Sequence, residues 1–217
     1  IPGSFGQGWP GLVYLSTLAF FLPYEPINQP VSKTTEIFYR SLLRSHELAH
    51  QWWGNVVVGA TYRDEWLLES LSNYSALLYL ETRKGGEGEV RLTLHRSRDE
   101  LLQKGGEEEP AERAGPPVLG YRLTSSRVPT GVDLVMYKKG SWIIHMLRQL
   151  MRDPKTGSDA AFFKFLRTLR DSFDQKPLTT AEFRRLAEKF VVPAANLDGG
   201  TSLEWFFDQW VFGSGIP

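Results

Sequence analysis

Within the stretch RSHELAHQWWGN, residues 44–55, two histidines stand four positions apart, with a glutamate directly after the first. Ile37, Phe38, Leu42, Leu43 and Leu48 fall at helical spacing, which predicts a helix over 33–54 with Gly54-Asn55 as its stop. On an α-helix, residues i and i+4 lie about 40° apart and about 6 Å along the axis. His46 and His50 therefore aim their rings at one point. Glu47 sits about 100° round from His46, too far to share that point comfortably but close enough to reach a water held there. Two imidazoles beside such a carboxylate suit a hydrolytic zinc ion, with Glu47 as the base that takes a proton from water. Helix composition alone also produces this pattern in a chain with 4 histidines and many glutamates. A third ligand decides between the two.

Glu69, in DEWLLES, is the candidate, with 18 residues between it and His50. A second helix is predicted over 64–83, closed by Gly85-Gly86, and a turn between Gly54 and Asp64 folds it back beside the first. Glu69 lies among Trp66, Leu67, Leu68 and Leu71, where a carboxylate is costly to bury unless something cationic meets it. A structural salt bridge is the plain alternative, and a metal is the fuller account. The set His46, His50 and Glu69 has no sulfur, which points to one zinc ion with an open, catalytic position rather than a closed structural site. Asn73, one turn beyond Glu69, is placed to orient a ligand ring.

The rest of the chain sets bounds. It has 217 residues, 41% of them hydrophobic, enough for one sizeable core. With 25 basic and 25 acidic residues the net charge is zero, which argues against a nucleic-acid surface or a polybasic membrane surface. There is no cysteine, so a disulfide scaffold, a thiolate zinc finger and a cysteine nucleophile are excluded. The longest apolar run, residues 11–23, is too short for a membrane span, and no basic region precedes it. A chain that opens at Ile1 and stops at Pro217 reads as a fragment with flanking domains, and nothing in it assigns a compartment.

Residues 1–32 are rich in glycine, proline and aromatics and read as a small β element, with LVYLSTLAFFL as a strand or two. From residue 33 to 217 a helical body is expected, with further helices over 88–103, 133–152, 158–173 and 180–190 and a short one around LEWFFDQW. Thr179 and Glu182 have capping-box spacing. Residues 104–120, KGGEEEPAERAGPPVLG, read as a solvated loop. His145 on its apolar helix is expected to be a packing histidine, and His95 to be exposed. One α+β, mostly α-helical domain results.

HELAHQWWGN, the gap of 18 residues and DEWLLES together resemble the zinc signature of the aminopeptidase N-like gluzincins, the family that also contains leukotriene hydrolase. VMYKKGSWIIHML resembles that family's Tyr-x-Lys-Gly segment, and FFDQWVFGSGIP the end of its catalytic domain. The resemblance implies a thermolysin-like catalytic domain acting on a peptide substrate. His46, His50 and Glu69 would be its zinc ligands, Glu47 its general base, and Tyr137 the phenol that donates a hydrogen bond to the oxyanion. The chain departs from the pattern where the family carries Gly-x-Met-Glu-Asn, whose glutamate grips the substrate's α-amine. Here Gly6, Gln7 and Gly8 stand where the acid should be, and no carboxylate occurs before Glu25. A neutral amide accepts a hydrogen bond from an ammonium group but lacks the charge that makes the pair strong. Leu68 and Ser70, where asparagine and glycine are usual, are smaller departures. An aminopeptidase is implied. The alternatives are an endopeptidase or other zinc hydrolase, and an inactive peptide-binding domain.

Overall fold

A computed structural model describes residues 6–21, 32–102 and 111–217. Pro23, Pro26 and Pro30, expected to break helices, lie outside the described residues, as does the acid run Glu107 to Glu109.

The described residues open with an antiparallel hairpin, β1 (Gln7–Trp9) and β2 (Leu12–Tyr14), in register Gln7↔Tyr14 and Trp9↔Leu12. Pro10 fixes one turn dihedral, and Gly11, at φ 72°, supplies the left-handed one. The expected strand character ends at Tyr14. Leu18–Phe21 is instead a helical turn, α1. Tertiary packing overrides local preference there: Ala19 is fully buried and clusters with Tyr39 and Leu43.

The helix expected over 33–54 is three pieces in one continuous rod. Ser32 caps α2 (Lys33–Ile37) by accepting from the Thr35 amide at 3.1 Å. A π-helical segment, Phe38–Leu42, follows, and α3 (Leu43–Ala49) completes the rod. The stop comes five residues before Gly54, yet His50 as C-cap keeps helical dihedrals (φ −61°, ψ −16°), so the i, i+4 relation to His46 survives. After the short strand β3 (Val58–Gly59) comes α4 (Glu65–Glu81). α4 is apolar almost all round, burying Trp66, Leu67, Leu71, Tyr74, Leu77 and Leu80, as a central helix must. It packs against α3, against α5 (Gly86–Leu102) and against the rod that carries Tyr137.

That rod was expected as one helix over 133–152. It is a second π-helical segment, Asp133–Lys139, running into α6 (Gly140–Met151). Then come α7 (Ala160–Ser172), strand β4 (Pro177–Leu178) parallel to β3, α8 (Thr180–Ala187) and α9 (Glu204–Trp210). The Thr179/Glu182 capping box forms as its spacing predicts. The expected loop over 104–120 is more structured than anticipated in its described part. Ala111–Ala114 and Pro117–Leu123 are 3₁₀ turns, and Val118 and Leu123 join the core. Phe162, Phe165, Phe183, Phe206 and Phe207 fill that core, with Trp66 edge-on to Phe183. The architecture is α+β and mostly α-helical.

Candidate metal centre

α3 and α4 bring His46, His50 and Glu69 to one point. Glu69 Oε2 lies 3.5 Å from both His46 Nε2 and His50 Nε2, and the two Nε2 atoms are 3.0 Å apart. Tetrahedral zinc with ligand bonds of about 2.0–2.2 Å needs donor atoms about 3.3–3.6 Å apart; the two edges to Glu69 fall in that range and the edge between the imidazoles, at 3.0 Å, is a few tenths shorter. The chemistry of the donors agrees. The Trp53 carbonyl, 2.8 Å from His50 Nδ1, can only accept, so Nδ1 carries the proton and Nε2 offers its lone pair to the centre. Ser72 Oγ adds a contact to the same Nδ1 at 3.1 Å. Glu69 Oε2 is buried with no hydrogen-bond partner, an acceptor left for a cation. No lysine or arginine pairs with Glu69 among the described residues, which disfavours the plain salt bridge. The three residues fit a zinc ion.

The electrostatics are those of a cation site. Burial works against charge on Glu69, but the two imidazoles that face it hold its carboxyl well below the usual range. Burial alone would lower His50, yet the Glu69 carboxylate raises it. Glu47 is buried beside the triangle. Desolvation pushes it up, with the two histidines opposing and Glu69 reinforcing.

Tyr137 faces the centre. Its ring lies 5.5 Å from that of His46 at 35°, and burial followed by the charge of Glu69 pushes its phenol far up, keeping it a hydrogen-bond donor. Lys139, two residues on, is buried and donates to the Gly213 carbonyl at 2.9 Å, so the YKKG and VFGSG segments meet in space. Gly6, Gln7 and Gly8 lie over α3 and share with the triangle a cavity of about 370 Å³. The approach is close. A Cβ on Gly6 would fall 2.5 Å from Glu47 Cγ, and one on Gly8 2.4 Å from the Glu47 carbonyl oxygen. Gln51 clamps the hairpin in place, accepting from the Gly11 amide (2.8 Å) and donating to the Trp9 carbonyl (2.7 Å).

Asn73 is a correction. Its amide donates to the Tyr137 carbonyl (3.2 Å) and to Ser141 Oγ (2.8 Å), and it touches no histidine ring. The ring-orienting partners are the Trp53 carbonyl and Ser72, on the neighbouring face of α4. Helical spacing alone missed Tyr121, which lines the same cavity and whose phenol is raised by burial and by Glu69. It follows Gly120 (φ 56°) in an irregular segment without a periodic signal. His145 accepts or donates to Tyr74 OH at 2.9 Å, a packing histidine as expected, and His95 is exposed. A larger cavity of about 740 Å³ opens on a different face of α3, but no histidine or carboxylate lines it.

A mostly helical domain that gathers two histidines and a glutamate at one point, with a second glutamate alongside, has the build of a zinc metallopeptidase domain. Residues 21–210 match the Peptidase family M1 domain, and the chain belongs to that family. It is 28% identical over 184 residues to human aminopeptidase RNPEPL1, a match covering 79% of this chain and 23% of that protein. Yeast transcription initiation factor TFIID subunit 2 is 24% identical over 203 residues, covering 90% of this chain and 13% of that one. Among solved structures, the M1 zinc metallopeptidase from Deinococcus radiodurans superposes with a TM-score of 0.54 at 26% identity, over 80% of this chain and 33% of that one. The chain thus spans about a quarter or less of the curated relatives it matches here.

Proposed function

We propose that residues 1–217 are the catalytic domain of a zinc-dependent peptidase that holds one zinc ion on His46, His50 and Glu69 and hydrolyses peptide bonds. The observation that carries this reading is the convergence of three donor atoms, 3.0–3.5 Å apart, with Glu47 next to them. Zinc bound there supplies a Lewis acid that polarises the scissile carbonyl and makes water a better nucleophile. Glu47 takes the proton of the attacking water and hands it to the departing amine. Its raised pKa suits both halves of that task. Tyr137, kept neutral by burial and by Glu69, donates a hydrogen bond to the oxygen that gains charge. β1 has one strand partner among the described residues, which supports edge-on pairing of an extended peptide along Gly6, Gln7 and Gly8.

The named aminopeptidase relative favours release of N-terminal residues. A second reading, internal cleavage, is favoured by the strand itself. It carries no acid to hold an α-amine, and Gly8 has no room for a side chain against the Glu47 carbonyl. Incubating the full-length protein with one short peptide, free or N-acetylated, separates the two by mass spectrometry of the products. Loss of the first residue from the free form alone makes it an aminopeptidase whose amine anchor lies elsewhere in the protein. Cleavage of both forms at an internal bond makes it an endopeptidase. If neither form is cut by zinc-loaded protein, the domain is a peptide-binding module.

A further inference from the structure

Tyr137 stands in a π-helical segment, Asp133–Lys139, which passes into α6 at Gly140. Where π spacing shortens to α spacing, from five residues to four, the backbone leaves a carbonyl for an outside donor. Side chains from α4 meet the carbonyls at this junction. Ser70 Oγ, fully buried, donates to the Met136 carbonyl at 3.0 Å. Asn73 Nδ2 donates to the Tyr137 carbonyl at 3.2 Å and to Ser141 Oγ at 2.8 Å, and Ser141 Oγ donates to the same Tyr137 carbonyl at 2.7 Å. The approach is possible because residue 140 is glycine: a Cβ there would sit 2.0 Å from Ser70 Oγ.

Ser70 and Asn73 sit on the same helix as Glu69, one residue and one turn beyond it. α4 therefore sets two things at once, the carboxylate of the triangle and the backbone position of the phenol. We infer that Ser70 and Asn73 are positioning residues, which hold the Tyr137 phenol at the metal centre by clasping the π-to-α junction that carries it. The inference rests on the role proposed above for Tyr137. A clasp on backbone carbonyls fixes the rotation of the segment about its axis, which decides whether residue 137 points at the centre or along its rim. Misplacement by about 1 Å costs up to about 100-fold in rate.

The test is a double-mutant cycle in the full-length, zinc-loaded protein on a short peptide substrate, with zinc content measured for each variant. Tyr137→Phe is expected to lower kcat by about 10²–10³. Asn73→Ala and Ser70→Ala are expected to lower kcat by about 10-fold or more, with KM within about two-fold and zinc content unchanged. In the Tyr137→Phe background both losses should vanish. An equal loss in both backgrounds overturns the inference, because the two residues would then act other than through the phenol. A second readout needs no turnover: 3-fluorotyrosine placed at position 137 and followed by fluorine NMR. Its resonance should shift in Asn73→Ala and in Ser70→Ala, and an unmoved resonance overturns the inference. A shifted resonance in a protein that cleaves no peptide removes the proposed function and leaves the clasp standing.

Discussion

Glu69 is charged, mostly buried and placed in the middle of an apolar helix, and its surroundings are arranged for that. Its neighbours on α4, Ser70, Ser72 and Asn73, are each polar, and each reaches a partner on an adjoining element: the Met136 carbonyl, His50 and the Tyr137 carbonyl. This polar patch explains why a central helix tolerates four non-apolar residues in five positions. The triangle was legible in the sequence because i, i+4 geometry is local and a lone carboxylate among tryptophan and leucines demands a cation. The task of Asn73 was not, since spacing gives the face of a helix but not which neighbour arrives there. Glu69→Ala should drop zinc per chain well below the wild-type level in elemental analysis. Glu47→Gln should keep the metal and lose about 10²–10⁴ in kcat. Full zinc occupancy in the first variant, or substantial turnover in the second, would remove these residues from their proposed roles.

At the scale of elements, the two rods that carry His46 and Tyr137 each contain a π-helical segment, and both pack on α4. Their hydrophobic pattern reads as uninterrupted helix, because one widened turn shifts the register by about 100° and apolar stripes are broader than that. Capping at Thr179 was readable for the opposite reason: donor and acceptor are three residues apart. The hairpin turn at Pro10-Gly11 was likewise local, whereas the helical turn at Leu18–Phe21 depends on Ala19 finding Tyr39 and Leu43. At Gly140 the second rod comes so near α4 that an added Cβ would sit 2.0 Å from Ser70 Oγ. Gly140→Ala should destabilise the fold by about 1–3 kcal/mol through overpacking, seen as a melting temperature lower by about 3–10 °C. An unchanged melting temperature would mean that the α4–α6 contact yields more readily than its geometry indicates.

Over the whole molecule, two kinds of contact join separate elements. One is the phenylalanine cluster of α7, α8 and α9 against Trp66. The other is polar: Arg148 joins Glu81 (2.9 Å) and Asp159 (2.5 Å), and buried Asp64 accepts from both the amide and the hydroxyl of Thr180. A zinc ion held on the triangle would add a third, tying α3 to α4. Removing the ion with a chelator should lower the melting temperature by about 10 °C, as expected for a ligand held near 1,000 times its Kd, and zinc but not calcium should restore it. A melting curve indifferent to chelation would mean that the triangle is held by protein contacts alone. The sequence by itself determined the i, i+4 pairing of His46 and His50, the local caps and turns and the mostly helical class, because each depends on residues within a few positions of one another. Only the tertiary structure decided which side chains clasp Tyr137, how closely the glycine strand lies on Glu47 and where the helices widen. Those features depend on surfaces that meet across dozens of residues, and pairing at that distance is set by packing rather than by local pattern.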